Sequence, residues 1–110
     1  MTAKGFQNKM VSYLGEYQEH LQLIKAKGKA VSYCSVIHEF INYLYNYHCV
    51  SGIGQITVSM ANSKFQADYK RRNRVIIPSE TMKKILKDFF IFLNEKQGIK
   101  NDKLMRGLAN

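Results

Sequence analysis

Two segments of this 110-residue chain carry the same apolar stripe 49 positions apart: Tyr33, Val36, Ile37, Phe40, Ile41 and Leu44, then Met82, Ile85, Leu86, Phe89, Phe90 and Leu93. Spacings of three and four bring such residues onto one face of a helix, and that face has to be buried. The simplest partner for each stripe is the other. The likeness reflects the common template of amphipathic helices and is not taken as a duplication.

A third stripe of Phe6, Met10, Tyr13, Leu14, Tyr17, Leu21 and Ile24 predicts a first helix over about residues 4–25. The Lys-Ala-Lys-Gly-Lys stretch after it reads as a basic turn, with Gly28 as the residue able to take positive φ. A second helix is expected over about 30–47, ending before Ser51-Gly52-Ile53-Gly54. Thr57 is a candidate N-cap for a third helix that turns Met60, Ala61, Phe65 and Tyr69 inward. Alternation from Gln55 to Met60 and the β-branched run Arg74 to Ile77 leave a small hairpin open there. Pro78 bars continuation of a preceding helix, and Ser79 suits the N-cap of a fourth over about 80–97, closed by Gly98. Asn101 or Asp102 would cap a short last helix containing Leu104 and Met105. The expectation is an all-α, compact bundle of four main helices plus a short fifth, in one domain over residues 1–110.

Seventeen Lys and Arg against eight Asp and Glu give a net charge of +9, which makes nucleic acid or another polyanion the leading partner. No apolar run approaches the ~20 residues of a bilayer span, and the N-terminus lacks the apolar core of a signal peptide, so the expected setting is cytoplasmic and DNA-associated, with no membrane partner. Two cysteines, Cys34 and Cys49, fit a reducing compartment. With His38 and His48 they supply enough ligand types for zinc, but neither pair has Cys-x-x-Cys spacing, so no metal is expected. No phosphate-binding glycine loop or nucleophile elbow is visible, and acids are sparse around the histidines. Neither an enzyme nor a cofactor is expected.

The cations are more informative. Lys83, Lys84 and Lys87 fall on the side of the fourth helix opposite Met82, Leu86 and Phe89. Lys25, Lys27 and Lys29 precede the second helix, and Arg71, Arg72 and Arg74 stand in the connection before the fourth. Were the second and fourth helices side by side, these cations would converge on phosphates at the helix N-termini.

The order of elements resembles the N-terminal core-binding, SAM-like domain of tyrosine recombinases, the phage integrase family, over nearly the whole chain. The family's "T-x-x-x-Y-x-x-x-L-x-x-F-x-x-Y-L" helix corresponds to Ala30, Val31, Ser32, Tyr33, Ile37, Phe40, Tyr43 and Leu44. Its "I-x-x-I-T" entry to the third helix is matched by Ile53-Gly54-Gln55-Ile56-Thr57, and its "T-x-x-x-x-L-x-x-F-F-x-F-L" helix by Thr81, Leu86, Phe89, Phe90, Phe92, Leu93 and Gly98. Asn101-Asp102 replaces the family's usual Asn-Pro, and the catalytic domain that follows in the family is not in this chain.

The resemblance implies a non-catalytic module of a site-specific recombinase that closes one side of a clamp on duplex DNA, laying its second and fourth helices across the major groove, with self-association only on DNA. It carries Lys27, Lys29, Ser32, Arg74, Thr81, Lys83, Lys84 and Lys87 over as the DNA face, and the charge reading adds Arg71 and Arg72. Two alternatives stand beside it. One is a basic module or inhibitor binding an acidic protein; the other is a winged-helix regulator whose wing lies between Gln55 and Ile77.

Overall fold

The computed structural model describes residues 2–109. Among them every regular element is helical, and five α-helices occur. The chain divides into two compact units, Met1–Ser51 and Gly52–Asn110.

The first unit is a helical hairpin. Helix α1 spans Ala3–Leu23; Thr2 caps it in an extended conformation, its hydroxyl accepting from the Gly5 N–H at 3.0 Å. Its buried stripe is Phe6, Met10, Leu14, Tyr17 and Leu21, which packs along α2, Lys27–Tyr43. Ile24, expected inward, is 59% exposed because it lies beyond the last helical turn. A π-helical turn over Leu44–His48 continues α2.

The α1–α2 turn departs from the sequence reading. Gly28 is inside α2, and Lys25 takes the left-handed position with φ 60°. The Lys25 N–H donates to the Gln22 carbonyl at 3.1 Å and the Ala26 N–H to the Leu21 carbonyl at 2.8 Å, the paired bonds of a Schellman motif. The register of the stripe explains the shift. Ala30, Cys34, Ile37 and Ile41 are buried at helical spacing, so α2 begins early enough to hold Ala30, and only Ile24, Lys25 and Ala26 remain to turn.

The second unit holds a 3-10 turn at Ile53–Gln55, then a helix that starts at Val58, passes through a π-helical stretch at Met60–Lys64 and continues as α3, Phe65–Asn73. Thr57 is its cap, the hydroxyl accepting from the Met60 N–H at 3.2 Å. Ala61, Phe65 and Tyr69 are buried as expected, while Met60 is only half-buried. The hairpin left open in the sequence does not form: between Gln55 and Ile77 the described residues hold no strand, because the helix occupies most of that span. A winged-helix architecture loses its wing with it.

Helix α4, Ser79–Gln97, buries Met82, Ile85, Leu86, Phe89, Phe90 and Leu93 and packs on the π-helical stretch and on α5, Asp102–Ala109. Each of the two long stripes thus has a partner within its own unit. Pro78, not Ser79, occupies the N-cap position of α4, its carbonyl accepting from the Met82 N–H at 3.0 Å. An N-cap needs non-helical backbone and no N–H of its own, and Pro78 at φ −53°, ψ 142° supplies both. Gly98 at φ 65° ends the helix, donating to the Asn94 carbonyl at 3.2 Å.

Asn101 ties the unit together. Its Oδ1 accepts from the Leu104 N–H at 3.1 Å, capping α5, and its Nδ2 donates to the carbonyls of Ile53 and Ile56 at 2.9 and 3.0 Å. Gly107 sits against Val58, leaving no room for a side chain on that face of α5.

Candidate nucleic-acid interface

In the first unit, Lys27, Lys29 and Ser32 are exposed on the opening turns of α2 and not in a turn before it. That end carries no acidic residue in its first turn and no side-chain cap. Cations there oppose the helix macrodipole, so the folding of α2 gives no reason for them. Lys29 Nζ stands 5.5 Å from the centre of the Tyr33 ring, a cation–π contact that leaves the ammonium in water. The Ser32 hydroxyl donates to the Gly28 carbonyl at 2.9 Å, so its proton is already engaged within the helix.

In the second unit, the arginine run is not in a connection. Lys70, Arg71 and Arg72 form the last turn of α3, where cations suit the dipole, and only Arg74 lies beyond it. Asp68, just 8% exposed, is gripped from both sides: Arg71 Nη2 reaches Oδ1 at 2.8 Å and Arg72 Nε reaches Oδ2 at 2.7 Å. Part of the positive charge is therefore spent on a structural carboxylate. The side chain of Arg71 is still 66% exposed and that of Arg72 35%. Arg74 ends α3 with φ 54° and is exposed. Asp68 gave no sequence signal beyond its spacing of three and four from the two arginines.

On α4, Thr81 and Lys84 are exposed, whereas Lys83 and Lys87 are half-buried. The face opposite the core is not bare. The three lysines line an open cleft of about 290 Å³ together with Glu80, Leu108 and Ala109. Glu80 contributes the opposite charge at the N-terminal turn, where an acid is favourable. The end of α5 that forms the other wall was not legible in the sequence, because nothing local ties residue 108 to residue 83.

The candidate zinc ligands have other surroundings. Cys34 is buried, and burial pushes its thiol up from its ordinary value; Cys49 is exposed, and both are free thiols. His38 lies against Asn42, and His48 Nε2 is 2.9 Å from the Tyr43 hydroxyl. Among the described residues no three His, Cys, Asp or Glu side chains are grouped to hold a metal ion, and no helix is long and apolar enough to cross a membrane. Comparison with protein-family models, curated proteins and solved structures finds no match to this chain.

Proposed function

We propose that this chain is a non-catalytic module that binds duplex DNA through its exposed cations, of the kind the core-binding domain of a tyrosine recombinase supplies. The observation that carries the reading is where the lysines stand. Lys27 and Lys29 occupy the N-terminal turns of α2, and Lys83 and Lys84 the N-terminal half of α4. Lys27 and Lys29 gain nothing from the macrodipole, whereas a phosphate there gains from both the lysines and the free N–H groups of the first turn; Lys83 and Lys84 stand one turn into α4 and add charge alone. The net charge of +9 adds the long-range attraction. No chemical step is assigned to the chain.

Each phosphate neutralised contributes about −0.9 to the slope of log K against log salt, so about five contacts give a slope near −4.5. The decisive comparison is between two charge reversals of equal size. K83E/K84E/K87E alters the α4 cleft; K9E/K96E/K103E alters three exposed lysines outside the proposed face. The first should abolish binding at moderate salt and the second should only weaken it. Since Lys83 and Lys87 are half-buried, K83Q/K84Q/K87Q, which removes charge and keeps the stems, accompanies them. Equal losses in both sets would reduce the effect to net charge, and failure to bind duplex DNA at low salt would overturn the reading.

A further inference from the structure

The exposed aliphatic side chains are not scattered. Among the described residues seven large apolar side chains are exposed, and five of them flank two helix ends: Leu23 at 83%, Ile24 at 59% and Val31 at 75% around the α1–α2 turn, and Val75 at 52% and Ile76 at 71% after α3. At each place a cation in the left-handed region follows the helix end, Lys25 at φ 60° and Arg74 at φ 54°. More cations adjoin: Lys27 and Lys29 in one unit, Lys70 and Arg71 in the other. A helix end usually takes glycine at such a position, and a longer side chain there costs about 1 kcal/mol. The same costly combination occurs once in each unit.

Phosphate binding alone needs no aliphatic tip, and grouped exposed aliphatics reduce solubility. An anionic bilayer would also take cations beside apolar groups, but interfacial anchors are amphipathic helices or belts of Trp and Tyr, and Arg74, Val75 and Ile76 lie outside any helix and include neither aromatic. Ile24, Val75 and Ile76 are β-branched and stiff. In the second unit Asp68 holds Arg71 and Arg72, while Lys70 and Arg74 beside the tip are exposed. Stiff aliphatics beside exposed cations suit a double-helical polyanion whose base steps can be pried apart from the minor groove.

Resting on the DNA-binding reading above, we propose that the tip formed by Arg74, Val75 and Ile76 is a wedge that presses aliphatic side chains into a minor-groove base step while Lys70, Arg71 and Arg74 hold the flanking phosphates; the Leu23–Ile24 tip of the first unit has the same chemistry.

The test uses the full chain and a duplex carrying 2-aminopurine at a central TA step, whose fluorescence rises on unstacking. The wild type should bind and raise the signal. V75S/I76S changes only exposed side chains, so its far-UV circular dichroism should match the wild type, its affinity should fall about tenfold with an unchanged salt slope, and its fluorescence rise should vanish. R74G should instead lower the salt slope by about 0.9, as the loss of one phosphate contact requires. Wild-type binding that leaves the fluorescence flat, or V75S/I76S binding as the wild type does, overturns the wedge and leaves DNA binding intact. A wild type that ignores DNA at low salt overturns both, and one that instead binds vesicles of phosphatidylserine and phosphatidylcholine assigns the tips to an anionic membrane surface.

Discussion

Replacing Asn101 separates two roles that a helix cap and a tertiary tether would otherwise share. As a cap it accepts from the Leu104 N–H, and as a tether its amide donates to the carbonyls of Ile53 and Ile56. Loss of an N-cap costs about 1 kcal/mol, and each hydrogen bond to a half-buried carbonyl contributes about 1 kcal/mol. N101A should therefore destabilise the second unit by about 3 kcal/mol, a large part of the 5–15 kcal/mol that holds a typical domain. Asp caps helices about as well as Asn, but in N101D a carboxylate oxygen replaces the amide and faces both carbonyls. N101D should lose about 2 kcal/mol or more and resemble N101A. Urea titration followed by circular dichroism measures this; with a slope of about 1.5 kcal/mol per molar, the midpoint moves by about 1.3–2 M. Hydrogen exchange at the Leu104 amide separates the roles, because that N–H bonds to Asn101 Oδ1 and loses its acceptor in N101A but keeps one in N101D. If N101D stays within about 0.5 kcal/mol of the wild type, Asn101 is a cap alone and the tether to residues 53–56 contributes nothing.

Three further outcomes follow from the packing. G107A places a methyl group into the Val58 side chain and should cost about 1–3 kcal/mol despite alanine's better helix propensity; the double variant V58A/G107A should recover part of that loss in thermal melts. D68N weakens both arginine contacts to a buried carboxylate, so thermal stability should fall by about 1–2 kcal/mol while low-salt affinity for duplex DNA rises, a combination that simple misfolding would not produce. Burial raises the Cys34 thiol, so at pH 8 iodoacetamide should modify exposed Cys49 first and reach Cys34 only on unfolding. The same raised thiol keeps its proton in the folded state, so its stabilising share is complete below the unfolded pKa and declines as pH rises from there through the folded value. Urea midpoints measured across that alkaline window should fall less in C34A.

Periodicity was enough to read α1, the body of α2 and α4, because a stripe such as Met82, Ile85, Leu86, Phe89 is buried whatever it packs against, and cap chemistry at Thr57, Gly98 and Asn101 acts within a few residues; between Gln55 and Ile77 the pattern also fitted a hairpin, which the helix there replaced. What periodicity does not contain is the partner of each stripe or the residue that turns the chain. Lys25 took the left-handed position from Gly28 because the core register of α2 left no longer connection, and Arg74 ended α3 in the same way. For the candidate site, composition supplied the cations but not their surroundings. Arg71 and Arg72 closed on Asp68 once a helix set them three and four residues beyond it, and Lys83 and Lys87 gained a wall from Leu108 and Ala109. Charge is a property of each residue, whereas exposure and pairing belong to the neighbours that folding brings, and only tertiary structure decides those.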